Sequence, residues 1–203
     1  MIDDKLLKNI ARLHRELDEK IKPMPKACGV GCSFCCYQHF RIVAIEEHAI
    51  SRFVIEKMPE QSQNRVRANL HAWFDYFDGN TPDVIDDDAW AKFEDKQRTD
   101  RFPCPFLLDH KCSIYEVRPV ACRGHIEAES AINCGKDPGR ISTPAARSVS
   151  FFAVGELIRL AGRRHFRSLC FAVAETFGIQ KTRKLKRHLN LVGFRKGYDP
   201  HSK

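Results

Sequence analysis

Eight of the nine cysteines fall in two blocks, and thiols at this density point to a soft metal ion. The first block reads Cys28-Gly29-Val30-Gly31-Cys32-Ser33-Phe34-Cys35-Cys36, four thiols within nine residues. Neighbouring thiolates repel one another, and a soft cation removes that repulsion by accepting their charge. Gly29 and Gly31 allow the positive φ angles by which a short loop turns several sulfurs toward one point. About seventy residues later come Cys104-Pro105-Phe106-Leu107-Leu108, then Cys112 through Pro119, then Ala121-Cys122-Arg123-Gly124-His125, with Cys134 shortly after. The ninth cysteine, Cys170, sits in the apolar run Leu169 to Val173 and reads as a small core residue.

Tetrahedral zinc takes four ligands, and an iron–sulfur cluster also takes about four cysteines. Eight thiols therefore exceed one simple site. The candidate ligands are Cys28, Cys32, Cys35, Cys36, Cys104, Cys112, Cys122 and Cys134. Cys32, Cys35, Cys104 and Cys122 are expected to form the inner set. Two sites, one polynuclear centre or a surplus of thiols would each account for the number. Adjacent Cys35 and Cys36 point in different directions if extended, so they are not expected to chelate alike. His39 and His125 lie just beyond the blocks, as ligands, as donors behind the ligands, or as ordinary surface or capping residues. Arg118 and Arg123 are placed to donate hydrogen bonds to the sulfurs and offset thiolate charge, with Arg118 alternatively pairing with Glu116 or a nearby helix end; Tyr115 reads as packing rather than catalysis.

The two blocks, in this order and with this content, resemble the cysteine-cluster family named for its CxxCxxCC signature and associated with zinc or iron chelation. The residues that carry the likeness are Cys28 to Cys36, Cys104-Pro105-Phe106-Leu107, and Cys112-Ser113-Ile114-Tyr115-Glu116-Val117-Arg118-Pro119 through Cys122-Arg123. The first interval holds three residues here, so the block reads CxxxCxxCC. The resemblance implies bound zinc, iron or an iron–sulfur cluster, of the [4Fe–4S] type if iron. Some relatives are linked to methylation of flagellin lysines, which implies an iron–sulfur enzyme acting on protein substrates as the alternative to a metal-stapled binding module. Cys28-x3-Cys32-x2-Cys35 also resembles the loop of radical S-adenosylmethionine enzymes, but those need a βα barrel, and strand signals here are too few to build one.

The elements that must position these blocks are mostly helical. Ile2, Leu6, Ile10, Leu13, Leu17 and Ile21 recur on one helical face, which stops at Pro23 and Pro25. A short strand is expected within His39 to Ile45 and a helix from Glu46 to about Lys57. Val66, Leu70, Phe74 and Phe77 mark another helix over 61–77, and residues 83–99 a weaker, partly exposed one, with Asp86, Asp87 and Asp88 at its start. The second block, punctuated by Pro103, Pro105 and Pro119, predicts turns and helical fragments, and 126–144 is expected to be loop-rich. Two core helices close the body, at about 145–161 with Val149, Phe152, Leu157 and Leu160 inward, and at 164–177. A basic helix follows near 180–191. The expected architecture is a mainly α single helical domain over 1–178, with two cysteine-rich loops, at most a small β-hairpin, and a basic C-terminal helix and tail over 179–203.

At 203 residues and 43% apolar content the chain can build one sizeable core. The net charge of +8 is uneven: residues 139–203 carry 14 Lys/Arg against 3 Asp/Glu. No acidic residue occurs from Thr176 to Tyr198, so an unidentified protein or other polyanion partner is expected at the basic C-terminus, with non-specific nucleic-acid binding included. The acidic start Met1-Ile2-Asp3-Asp4-Lys5 is unlike a signal peptide and no run of about eighteen apolar residues occurs, which predicts a cytosolic protein without a spanning helix. In a reducing compartment clustered cysteines favour metal over disulfides. No phosphate-binding Gly loop, nucleophile elbow or HExxH helix is present.

Overall fold

In the computed structural model, which describes residues 3–29, 31–82, 87–130, 133–134 and 143–179, short irregular segments carry the cysteines and longer helices frame them. Helix α1 (Asp4–Ile21) begins where the Asp3 side chain accepts the Lys5 N–H at 2.9 Å, and Lys20 sits in its last turn, opposite in charge to the helix C-terminus. It buries Ile10, Leu13, His14, Leu17 and Ile21 and packs most extensively on α6 (Pro144–Ala161). Thr143 caps α6, Pro144 opens it, and Gly162 closes it at φ 65°. Strand β1 (Arg41–Val43) follows the first cysteine block and leads into α2 (Glu46–Glu56). Then come α3 (Glu60–Gly79) and α4 (Asp87–Thr99). The second block folds as the hairpin β2 (Leu107–Leu108) and β3 (Lys111–Cys112), a 3₁₀ turn at Tyr115–Val117, and the single-turn helix α5 (Val120–Arg123).

Two apolar clusters result. The larger joins α2, α3, α4 and the chain after residue 168 around Trp73, Phe77, Phe93 and Phe171, all at most 1% exposed. Their rings meet edge-on or stacked at 4.8–5.8 Å between centroids. The smaller cluster joins α1 and α6 through Ile10, Leu13, Ala153 and Leu157, and reaches Val43 and Val120. The cysteine segments lie between the two.

The expected mainly helical class is the one observed, with two small antiparallel strand pairs among the described residues. Three elements differ from expectation. The segment 164–177 is broken into strand β4 (Phe166–Ser168), helix α7 (Leu169–Val173) and a 3₁₀ turn at Glu175–Phe177. Strand β4 pairs with β1 in the register Arg41↔Ser168, a long-range contact that local periodicity does not encode. Leu169 to Ala174 are all buried, so α7 has no polar face to mark it. Helix α4 is not the weakly packed element its charge suggests, because Trp90, Phe93 and Gln97 on one side enter the aromatic core. Phe152 of α6 points outward, 58% exposed, with the Lys20 ammonium 4.5 Å above its ring. Cys170 is buried in the core as expected. The basic helix near 180–191 and the tail lie outside the described residues, as does Asp86. No described helix is long and apolar enough to cross a membrane.

Candidate metal centre

All nine cysteines are free thiols, and the eight in the two blocks line one cavity of about 500 Å³. Phe34, Phe40, Arg118, Arg123 and His125 share its wall.

The first block enters through a turn in which the Cys32 N–H donates to Gly29 O at 3.0 Å, with Gly31 at φ +94°. Only glycine takes that conformation without strain, so Gly31 accommodates the three-residue interval between Cys28 and Cys32. A 3₁₀ turn, Phe34–Tyr37, then carries Cys35 and Cys36. The second block is tied to the first where the Cys104 N–H donates to Cys36 O at 2.6 Å. Its hairpin places Cys112 opposite Leu107, whose N–H donates to Cys104 O at 2.9 Å. Helix α5 carries Cys122. Cys28 is met from another side: its Sγ accepts the Glu127 N–H at 3.3 Å, and Ala27 N–H donates to Glu127 O at 2.7 Å.

Two charged residues brace this wall. Glu46 is 1% exposed and accepts from Val43 N–H at 3.0 Å and Val120 N–H at 2.8 Å, with His14 Nε2 3.1 Å away. One carboxylate thus joins α1, β1, α2 and the first residue of α5. Arg123, 4% exposed, donates to Arg118 O at 2.7 Å and to Glu116 O, and pairs with Asp18. Arg118 lies 3.7 Å over the Tyr115 ring and 3.7 Å from Asp18. Both arginines therefore act on backbone carbonyls and carboxylates. Tyr115 is 44% exposed and serves as a platform for Arg118 rather than as core packing.

Burial pushes Cys104 up to about 12 and Cys134 up to about 11, and raises Cys28, Cys112 and Cys122 too. Cys35 is the exception: the Cys36 thiol hydrogen-bonds to it, which lowers Cys35 and raises Cys36, and Arg118 adds a smaller lowering. Among the described residues no three Cys, His, Asp or Glu side chains converge at single-ion spacing. The donor set nevertheless suits a soft metal, being eight thiols with backbone N–H groups and an arginine close by.

The two histidines part company. His125 lines the cavity, with Gln38 Nε2 3.5 Å from its Nε2 and Phe40 edge-on at 5.6 Å. His39 turns away into a box of Trp73, Trp90 and Phe93, where burial lowers its pKa to about 3 and its Nε2 has no partner. That orientation removes it from the ligand candidates.

Residues 27–138, more than half of the chain, match the CxxCxxCC family, described as a putative zinc- or iron-chelating domain. The chain belongs to this family. Comparison with curated proteins and with solved structures found no significant match. The match spans both cysteine blocks and every thiol of the cavity, which supports metal binding by this CxxCxxCC domain, with zinc or iron. Glu46 escaped the sequence reading because an acidic residue in a first helical turn is ordinary in itself. The sequence setting of Arg123 points toward the sulfurs alone, and Glu127 falls in the stretch expected to be loop-rich.

Proposed function

We propose that the protein holds a polynuclear thiolate centre, an iron–sulfur cluster or paired zinc ions, in the cavity between its two apolar clusters. The observation that carries this reading is that all eight thiols of both blocks line a single cavity of about 500 Å³. Eight thiols are twice the four that one tetrahedral ion takes. The metal, once bound, would offset the charge of the thiolates and, with iron, supply electron-transfer capacity. The chain's own contribution is to gather the thiols, brace the wall through Glu46 and Arg123, and keep Arg118 beside Cys35. Ligation needs reduced cysteines, which fits a cytoplasmic location.

An iron–sulfur enzyme acting on protein substrates and a metal-stapled module differ in what the centre does after it forms. The basic stretch from Lys181 to Arg187 fits a polyanion partner by charge alone. Metal and acid-labile sulfide analysis of protein purified without oxygen, with a visible spectrum, tests the proposal. More than one metal atom per chain supports it, with sulfide and a brown chromophore marking iron. A single metal ion per chain, or none, overturns it.

A further inference from the structure

We infer that metal binding draws the eight thiols into two neighbouring four-thiolate positions, one of Cys28, Cys32, Cys35 and Cys134 and the other of Cys36, Cys104, Cys112 and Cys122. This rests on the polynuclear reading and gives that centre a definite internal division.

Backbone ties anchor the two ends of the first block to different places. At its start, Ala27 N–H reaches Glu127 O at 2.7 Å and Glu127 N–H reaches Cys28 Sγ at 3.3 Å, which joins Cys28 to the segment leading to Cys134. At its end, Cys104 N–H reaches Cys36 O at 2.6 Å, which joins Cys36 to the hairpin that carries Cys112. Packing agrees for three of the thiols. Cys104 and Cys112 rest against the aromatic cluster, whereas Cys28 rests against the cluster built by α1 and α6.

The boundary falls between Cys35 and Cys36. Both lie in the 3₁₀ turn Phe34–Tyr37, where three residues per turn set successive side chains about 120° apart. Their thiols hydrogen-bond to each other, so the two positions adjoin at this pair. The charges that each thiol faces agree: Cys134 has Cys28, Cys35 and Cys32 as its thiol neighbours, while Cys36 has Cys35, Cys104 and Cys112. Cys122 has Cys35 as its foremost thiol neighbour, then Cys112 and Cys104, so Cys35 stands where the two positions meet. Four thiols on each side give each position the number that a closed tetrahedral thiolate site requires.

Zinc added to the metal-depleted full-length protein, counted by native mass spectrometry, tests the division. Wild type should take up two zinc ions per chain, Cys134→Ala one, Cys112→Ala one, and the double variant none. Cys134→His, which restores a ligand, should return the count to two. Circular dichroism on each variant separates lost sites from lost folding, and the histidine variant reports even if an alanine variant unfolds. Two zinc ions in wild type that are both lost in either folded single variant would overturn the division and leave the polynuclear reading standing. A wild type that takes up fewer than two zinc ions would overturn the division, and no more than one metal atom per chain in protein purified without oxygen would overturn both.

Discussion

The aromatic cluster and the cysteine cavity lie side by side but are ordered by different forces. Around Trp73, Phe77, Phe93 and Phe171, large rings bury themselves on helices of 13 and 20 residues, and packing suffices. Around the thiols, elements of two to four residues bury little apolar surface and lean on backbone ties, on Glu46 and on Arg123. Short segments of this kind gain order chiefly when a metal binds them. The first region is expected to be indifferent to metal and the second to depend on it.

The largest effect should come from the first region. Trp73→Ala or Phe77→Ala should cost about 3–5 kcal/mol in chemical denaturation, equally with and without metal. Equal metal dependence of both regions would erase the contrast. Glu46→Ala should cost about 2–4 kcal/mol, because it leaves two buried N–H groups unpaired at the junction with α5. It should also weaken metal uptake, which isothermal titration would register, whereas Trp73→Ala should not.

Two glycines sharpen the comparison by failing for different reasons. A Cβ at Gly124 would stand 1.7 Å from Ser150 Oγ, so Gly124→Ala should cost about 1–3 kcal/mol through crowding between α5 and α6, and Ser150→Ala should relieve part of it. Gly31 has open space but φ +94°, so Gly31→Ala should cost about 1 kcal/mol in backbone strain, and this should appear mainly as weaker metal binding.

The smallest effect is one of pH. In the metal-free protein burial raises the Cys104 thiol from 9.0 to about 12. The fold favours its protonated form, so that contribution is full below about pH 9 and is lost as pH rises toward 12. The metal-free protein should therefore lose stability across that window in pH-dependent melting. Metal uptake at neutral pH should release protons, measurable as a buffer-dependent binding enthalpy.

Much of this was legible in the sequence. Cysteine clustering singled out the eight thiols that the fold brings to one cavity wall, since two compact blocks rich in Gly and Pro offer few other uses for thiols. Periodicity located α1, α2, α3 and α6 to within a few residues because each has one apolar face. What stayed hidden depends on partners far along the chain. Strand β4 exists because Phe166 to Ser168 meets β1, more than a hundred residues earlier. Glu46 matters because Val120 arrives beside it, 74 residues later. Cys134 comes near Cys28 and Glu127, neighbours that spacing alone cannot supply. His39, adjacent to a cysteine block, looked like a ligand candidate until the aromatic box around it was seen.

X-ray absorption at the edge of the bound metal tests the central claim most directly. The account predicts a first shell made of sulfur alone, near 2.3 Å for zinc, together with a second shell from a neighbouring metal atom. A shell dominated by nitrogen and oxygen, or an isolated metal with no metal neighbour, would contradict it.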